Sequence, residues 1–324
     1  MMGSKDADDQ HVCASCGIAV DEIKVPIGGM SVTLDSFECS GCQSARCCSD
    51  NIKRQEDRRE EHPVHQQHDE ECKKHAGELH DRELFTQPDS NHQGECPICV
   101  LPLPLDRTES MFWACCSNVI CRGCEVANYI SNGVNKCPFC REPAPYDVEE
   151  RDKRLKKRTK ANDPAAMREM GRLRYGEGDY DGAFEYWTNA AELGDVDAHD
   201  KLGMLYMQGQ GVEEDEGKAV YHFSIAAIGG HHNARYVLGY IEGLNGNFER
   251  AVKHFMIAAN LGDKDSMKIL WKRYACGDIT KEDLDATIRK HQAAIDETKS
   301  EQRDRCSGKS WRERRDLNSS GRCR

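Results

Sequence analysis

The sequence predicts a multidomain protein in which two small cysteine-rich α+β modules precede an all-α solenoid. Two observations lead to this fold class. Fifteen of the 18 cysteines lie before residue 141, and many of them stand in C-x-x-C pairs that form two clusters. After residue 160 cysteines become rare, and a unit with two small residues near its end occurs three times. The 324 residues are enough for two or three domains of about 100–200 residues each.

Composition narrows the class of protein. Hydrophobic residues make up 38% of the chain, and the formal net charge is −11, which disfavours general binding to nucleic acids because such binding depends on a positive field. The first residues lack the apolar core of a signal peptide, and no apolar run reaches the ~18 residues of a membrane helix. We therefore expect an intracellular protein, cytoplasmic or nuclear, that binds no membrane. In such a compartment, paired cysteines are metal ligands before they are disulfides.

The second cysteine cluster contains three C-x-x-C pairs and one adjacent pair of cysteines. A C-x-x-C turn places two thiolates where both can bind one Zn²⁺ at about 2.3 Å. Two such turns complete one tetrahedral site, so this cluster predicts a zinc-stabilised module with two structural zinc ions. The predicted ligands are Cys96, Cys99, Cys115, Cys116, Cys121, Cys124, Cys137 and Cys140.

The order and spacing of these cysteines resemble the RING finger, in which ligands alternate between two zinc ions. The resemblance implies a module over residues 92–146, with one zinc held by Cys96, Cys99, Cys121 and Cys124. Asn118 stands where the family has a histidine, and asparagine is a poor zinc ligand. We therefore expect Cys115 and Cys116 both to bind the second zinc, together with Cys137 and Cys140. The alternative is a weaker second site with three protein ligands.

The RING resemblance also implies an activity. RING-type E3 ubiquitin ligases have no catalytic residue of their own, and they hold an E2 ubiquitin-conjugating enzyme charged with ubiquitin in a reactive geometry. Three positions that the family uses for the E2 are filled, by the apolar Ile98, by Pro138 and by the basic Arg141. The aromatic residue that often precedes the seventh ligand is absent.

The first cluster, within residues 10–75, has two C-x-x-C pairs, the adjacent cysteines Cys47 and Cys48 and a H-x-x-x-C pair, and it resembles the MYND zinc finger. The resemblance implies one or two zinc ions and a module that binds short proline-containing peptides. One site is complete, with Cys39, Cys42, His68 and Cys72. The other lacks a ligand, because Ile52 stands in the sixth position, and it has Cys13, Cys16 and Cys48. The alternative is a cysteine-rich segment that binds one zinc or none.

Two charged segments flank the last domain. Residues 147–160 follow a proline-rich stretch that ends the second module, and they predict a charged linker with a solvated helix. A nuclear localisation signal is the alternative reading of their basic run. Residues 299–324 are rich in Arg, Ser and Gly and predict a disordered basic tail.

Residues 161–298 contain the repeat. A pair of alanines recurs at spacings of 36 and 32 residues, as Ala190-Ala191, Ala226-Ala227 and Ala258-Ala259. An aromatic residue precedes each pair, and a glycine after Met or Leu recurs upstream of it. Each unit predicts a helical hairpin that hides its apolar face only by stacking on its neighbour. The fullest unit, residues 198–230, resembles the Sel1-like repeat, a relative of the TPR. That resemblance implies a solenoid surface that binds another protein.

Two functions follow from these readings. In the first, the protein is a RING-type ubiquitin ligase whose repeats recruit a protein substrate. In the second, it is a non-catalytic interaction scaffold with structural zinc. Ile98 together with Arg141 favours the ligase, because a scaffold has no need to carry both. A hydrolytic zinc enzyme is disfavoured, because catalytic zinc keeps an open position and all-thiolate sites in such turns are structural.

Overall fold

The computed structural model describes residues 81–133 and 135–304, together with the backbone of residues 23–27, 30–34, 305 and 306. Ile23–Ile27 (β1) and Met30–Leu34 (β2) pair as an antiparallel hairpin. The ligand positions of the N-terminal cluster lie outside the described residues, so the zinc sites assigned to them stay a prediction. These positions are Cys13, Cys16, Cys39, Cys42, Cys48, His68 and Cys72.

The second cysteine module is built on one short strand pair and one helix. Ser110–Trp113 (β3) and Asn118–Cys121 (β4) are antiparallel, with Ser110 opposite Cys121 and Trp113 opposite Asn118. Helix Arg122–Asn132 (α2) begins where β4 ends, because Sγ of Cys121 accepts the backbone N–H of Cys124 and caps it. A small core holds the module together and contains, besides its cysteines, Leu103, Trp113 and Ile120.

Helices make up most of the remaining described chain. A single turn, Asp81–Leu84 (α1), precedes the cysteine module. The helices that follow the module are Val148–Thr159 (α3), Pro164–Gly176 (α4), Tyr180–Glu192 (α5), Val196–Gln208 (α6), Glu216–Ile228 (α7), His232–Leu244 (α8), Phe248–Asn260 (α9), Lys264–Ala275 (α10), Lys281–Glu297 (α11) and Glu301–Cys306 (α12). Within the described part of the chain, none of them is both long and apolar enough to cross a bilayer.

Successive helices α4 to α11 pack as antiparallel hairpins into a continuous stack. Five of these helices begin at a side-chain cap, in which a carboxylate accepts a backbone N–H three residues further on. The capping residues are Asp163, Asp179, Asp195, Asp215 and Asp263. Helix α11 begins at Thr280, whose hydroxyl accepts the N–H of Asp283 at 3.1 Å. Residues close to each helix start therefore determine where these helices begin.

Close approach within each hairpin depends on one glycine. On the first helix of each unit, a glycine faces the aromatic ring that the second helix buries. A Cβ at these positions would approach the ring to 3.0 Å or less, which real Cβ atoms essentially never do below 3.0 Å and rarely do at 3.0 Å. The pairs are Gly171 with Trp187 (2.4 Å), Gly203 with Phe223 (2.8 Å) and Gly239 with Phe255 (3.0 Å). The glycine thus sets the separation of the two helices.

The charged segment 147–160 is a packed helix rather than a free linker. Leu155 is only 2% exposed and lies in a cluster with Ala114 of the cysteine module and Met170 of α4. Arg154 donates to the carbonyl of Pro143 at 2.6 Å. The remaining side chains of α3 are largely charged, so its composition does not predict a buried face. The domain boundaries drawn from the sequence stay a prediction.

The C-terminal segment also departs from expectation. Residues 301–306 form a helix, α12, that packs against α2, whereas the sequence predicts a disordered tail from residue 299. Arg303 is 8% exposed and holds α12 in place through backbone carbonyls of the cysteine module. An arginine that is satisfied by carbonyls leaves no hydrophobic pattern to read. Residues 307–324 lie outside the described part.

Candidate functional site

Four cysteines of the module converge on one point. Their sulfur atoms all lie within 4.8 Å of one another, and they belong to Cys96, Cys99, Cys121 and Cys124. The Sγ atoms of Cys99 and Cys121 are 3.8 Å apart. A tetrahedral centre with zinc–sulfur bonds of 2.3 Å has sulfur–sulfur edges of about 3.8 Å, so this cluster can hold a zinc ion with little movement.

A second group of four sulfur atoms meets the same distance criterion. It consists of Cys115, Cys116, Cys137 and Cys140. Sγ of Cys116 lies 3.5 Å from that of Cys137, and Sγ of Cys140 lies 3.3 Å from that of Cys115. The adjacent cysteines thus both reach the site. A turn after β3 allows this, in which Ser117 has a φ of 58°. All eight cysteines of the two clusters are free thiols.

Asn118 lies beside the second cluster and not within it. Its Nδ2 atom donates to Sγ of Cys116 at 3.3 Å. An amide nitrogen in this place orients a thiolate and neutralises part of its charge. The two clusters alternate along the chain in the order that the cysteine spacing predicts. Whether all eight sulfurs bind metal stays a prediction.

Two turns of the module are built in the same way. In each, the backbone carbonyl of a cysteine accepts the N–H of the residue four positions later. The N–H of the same cysteine donates to the carbonyl of the residue five positions later. These bonds join Cys96 with Val100 (2.8 Å) and Leu101 (2.9 Å), and Cys137 with Arg141 (3.1 Å) and Glu142 (2.8 Å). Val100 and Arg141 both have a positive φ, of 56° and 66°. The two turns are structural equivalents.

The tips of these turns carry exposed apolar side chains. Ile98 is 43% exposed and its equivalent, Phe139, is 40% exposed. Pro138 is half-buried and Arg141 is exposed. The RING resemblance implies roles for Ile98, Pro138 and Arg141, and none for Phe139. The repetition of C-P-x-C would have found it, because it places Phe139 where the first turn has Ile98.

Arg303 of α12 reaches the first cluster from outside the module. Its Nη2 atom donates to Sγ of Cys99 at 3.2 Å and to the carbonyl of Leu101 at 3.1 Å. Its Nη1 atom donates to the carbonyl of Pro102 at 2.7 Å. A cation against a thiolate offsets part of the charge that four thiolates would bring to one zinc. Nothing in the sequence pattern pointed to this contact.

A third group, His92, Asp197 and His231, also has metal-like spacing. Oδ1 of Asp197 lies 3.2 Å from Nε2 of His92 and 3.1 Å from Nε2 of His231. Nδ1 of His231 accepts the backbone N–H of Ala234 at 3.2 Å and lies 3.3 Å from Oδ1 of Asp200. Nδ1 of His92 is buried and has no hydrogen-bond partner among the described residues.

Two arginines complete this cluster. Oδ2 of Asp197 accepts from Arg107 at 2.8 Å and lies 3.1 Å from Nη1 of Arg168. Burial opposes ionisation of Asp197, but His92, Arg168 and the donated hydrogen bonds hold its pKa well below the usual range. Burial lowers the pKa of His92 to about 4, so this ring is neutral at pH 7. We call these five residues the Asp197 cluster, and they join the cysteine module to the helical stack.

Comparison with known proteins identifies the stack. Residues 164–195, 196–231 and 232–263 each match the family model described as Sel1 repeat. Residues 164–263 are three Sel1 repeats. The prediction of a Sel1-like solenoid is thereby confirmed for these units. Sel1 repeats indicate a role in protein–protein interaction. The cysteine clusters match no RING or MYND family model.

Three other proteins are similar to part of this chain. The chain is 30% identical over 86 residues to chitin synthase regulatory factor 4 of Schizosaccharomyces pombe, a match that covers 26% of this chain and 14% of that protein. A Sel1 repeat protein from Oxalobacter formigenes is 30% identical, with a TM-score of 0.40 over 46% of this chain and 65% of its own. A protective antigen of uropathogenic Escherichia coli with an SLR fold is 22% identical, with a TM-score of 0.40. That match covers 47% of this chain and 35% of the antigen. The chain thus spans less than two thirds of each.

The Sel1 repeats carry a further occupant from their own chain. Residues 81–87, which we call the docked segment, lie against α7 of the second repeat and on the third repeat, where the fully buried Arg235 of α8 donates to two of their carbonyls. Leu84 joins the core of the repeats. The sequence predicts no partner for this segment, because the contacts are made by its backbone or with residues about 150–170 positions away.

Proposed function

We propose that the protein is a zinc-binding interaction protein whose RING-like module positions a ubiquitin-charged E2 while the Sel1 repeats hold a protein substrate. The observation that carries this proposal is the pair of alternating four-cysteine clusters. Their equivalent turns present Ile98 and Phe139 to solvent. Exposed apolar side chains on a rigid turn are costly for a purely structural module, and they suit a docking surface.

The proposed role of each residue follows from position. The two zinc ions would hold the turns at a fixed separation, through the cysteines of the two clusters. Ile98 and Pro138 would contact the E2, and the exposed Arg141 would bridge E2 and ubiquitin. The module supplies orientation only, which lowers the entropic part of the barrier to transfer. No side chain of the module is required as an acid, a base or a nucleophile.

A non-catalytic scaffold is the second candidate. Asn118 in place of the family's histidine favours it, as does the relative named as a regulatory factor of chitin synthase, which matches within 26% of this chain. In this case the zinc ions are structural, and the repeats bring partners together without transfer of ubiquitin.

Discharge of ubiquitin from a panel of charged E2s separates the two candidates. The full-length protein is compared with Ile98→Ala and Arg141→Ala, and with Tyr146→Ala as a control, since Tyr146 is 90% exposed and lies outside both turns. The ligase reading expects acceleration by the wild type and the control, and loss of it in the two variants. If no E2 responds while the chain is folded and zinc is bound, the scaffold reading replaces it.

A further inference from the structure

We propose that the surface of the third Sel1 repeat around Arg235 is a peptide-binding site that its own docked segment occupies. A partner segment with an acidic residue, then leucine at the fourth position and an aromatic residue at the fifth, would replace it. This proposal rests on the proposed role of the repeats in holding a protein partner, and it specifies that partner's chemistry. It does not depend on ubiquitin transfer.

Arg235 is the residue that makes this surface a site. It stands at the fourth position of its helix, where the first repeat has Met167 and the helix after the third repeat has Met267. Its side chain is fully buried, and no carboxylate of the described residues lowers the cost of burying the charge. Burial accordingly lowers its pKa to about 10. A buried guanidinium needs acceptors.

The docked segment supplies those acceptors from its backbone. Nη1 of Arg235 donates to the carbonyl of Leu84, and Nη2 donates to the carbonyl of Thr86 at 3.3 Å. Hydrogen bonds to backbone carbonyls depend on the conformation of a segment and not on its side chains. Any segment with the same backbone conformation can therefore accept them. Without an occupant, the guanidinium would lose both of these partners.

Side chains add the specificity. The ring of Phe85 lies 4.7 Å from that of His254, and the guanidinium of Arg250 lies 4.8 Å from the centroid of Phe85. Arg250 also pairs with Asp81 at 2.6 Å. Leu84 is 8% exposed in the core of the repeats. The site therefore selects an acid, a leucine and an aromatic residue, at the spacing of Asp81, Leu84 and Phe85.

The occupant is weakly held by its own structure. A helix of four residues has no stability by itself, and its ion pair with Arg250 is exposed at Asp81, so solvent screens that pair and it adds little. What retains the docked segment is its covalent link to the cysteine module, which gives an effective concentration on the order of millimolar. A free peptide at about 10 μM with equal affinity would then fill on the order of 1% of sites.

The test is binding of a fluorescent peptide with the sequence of residues 81–88 to the full-length, zinc-loaded protein, measured by anisotropy. Phe85→Ala weakens the internal occupant, and Asp81→Lys does so at an exposed position that does not affect folding. We expect Phe85→Ala to bind the peptide at least tenfold more tightly than the wild type, and Asp81→Lys to show a smaller gain. Adding Arg235→Met to Phe85→Ala should abolish binding, since methionine is tolerated at the equivalent positions.

Two outcomes would overturn the proposal. One is equal peptide affinity in the wild type and in both opened variants, with circular dichroism showing that they are folded. The other is binding that survives Arg235→Met, or that persists when the peptide carries alanine for its phenylalanine. Ubiquitin discharge is measured separately, so a failure here leaves the proposed ligase function standing. Conversely, loss of discharge activity would not affect the peptide result.

Discussion

Cys115 illustrates how one residue can replace the function of another a few positions away. The histidine that the RING pattern requires is absent, and Asn118 instead donates to Sγ of Cys116. Cys115 reaches the same cluster from the adjacent position, because the turn at Ser117 brings two consecutive side chains to one side. We therefore expect any metal count of the module to depend on Cys115 and not on Asn118.

We expect Cys115→Ser to lower the bound zinc by up to one ion per chain, because a serine hydroxyl is a poorer ligand than a thiolate. Asn118→Ala is the matched control and should retain the wild-type count, since it removes a hydrogen bond and no ligand. Elemental analysis of purified, dialysed protein measures both. Loss of zinc in Asn118→Ala but not in Cys115→Ser would reverse the assignment.

His254 makes the stability of the repeats depend on pH. It is fully buried, and neither ring nitrogen has a hydrogen-bond partner among the described residues. Burial, aided by Arg235 and Arg250, lowers its pKa from 6.5 to about 3. The unfolded chain therefore binds a proton below pH 6.5 that the folded chain refuses until about pH 3. Its contribution is complete above pH 6.5 and is lost progressively as the pH falls towards 3.

We expect His254→Leu to remove this loss. Between pH 7 and pH 5 the free energy of unfolding should fall by about 2 kcal/mol less in the variant than in the wild type. Urea unfolding at the two pH values measures the difference. His291→Leu, which replaces a half-buried histidine bonded to the carbonyl of Ala259, controls for the loss of any histidine. An unchanged pH dependence in His254→Leu would contradict the buried neutral ring.

At the scale of the helical element, one contact recurs in every Sel1 repeat. The glycine of the first helix meets the aromatic ring of the second at a distance that admits no Cβ. We expect Gly203→Ala to lower the free energy of unfolding by about 1–3 kcal/mol, because the ring of Phe223 must move within a full core. Shortening the ring in Gly203→Ala with Phe223→Leu should cost less than the sum of the two single changes.

The control for Gly203→Ala lies on another helix of the stack. Gly176 is exposed at the end of α4, and a Cβ there would meet nothing within 4 Å. Gly176→Ala should therefore stabilise the protein by up to about 1 kcal/mol, through the better helix propensity of alanine. Thermal unfolding followed by circular dichroism compares the variants. Similar effects of the same sign at both glycines would show that backbone propensity, and not packing, governs Gly203.

The elements differ in how far the sequence predicts them. The Sel1 hairpins and the cap at Thr280 are readable, because their signals lie within a few residues of each other. The same holds for the grouping of cysteines, since a C-x-x-C turn fixes two sulfurs locally. Helix α12 and the docked segment were not predicted. Arg303 and Arg235 hold them through distant backbone carbonyls, which leave no trace in composition or periodicity.

At the scale of the whole molecule, the Asp197 cluster decides how the two halves affect each other. Its carboxylate contacts Arg107 and His92 of the cysteine module. It also contacts Arg168 and His231 of the repeats. A buried carboxylate that loses half of its donors costs free energy, so the structure indicates that the halves are coupled.

We expect removal of zinc by a chelator to unfold the cysteine module and to leave the repeats helical at 25 °C but less stable. In small zinc modules the free energy of metal binding supplies the free energy of folding, so the module should not stay folded without zinc. Asp197 would then lose Arg107 and His92, at a cost of about 1–3 kcal/mol. The helical transition should shift down by about 2–4 °C for each kcal/mol lost. Circular dichroism melts with and without chelator measure this shift.

Asp197→Asn tests whether the coupling runs through the Asp197 cluster. An asparagine keeps the shape but removes the charge that the module's donors stabilise, so the chelator should shift the melt of this variant less than that of the wild type. Asp181→Asn, on the first turn of α5, is the control and should keep the full shift. Equal shifts of the melting temperature in all three proteins would show that the module and the repeats are coupled through other contacts. The remaining contacts are those of α3 and α12. Complete loss of helical signal at 25 °C would instead mean that the repeats need the module in order to fold.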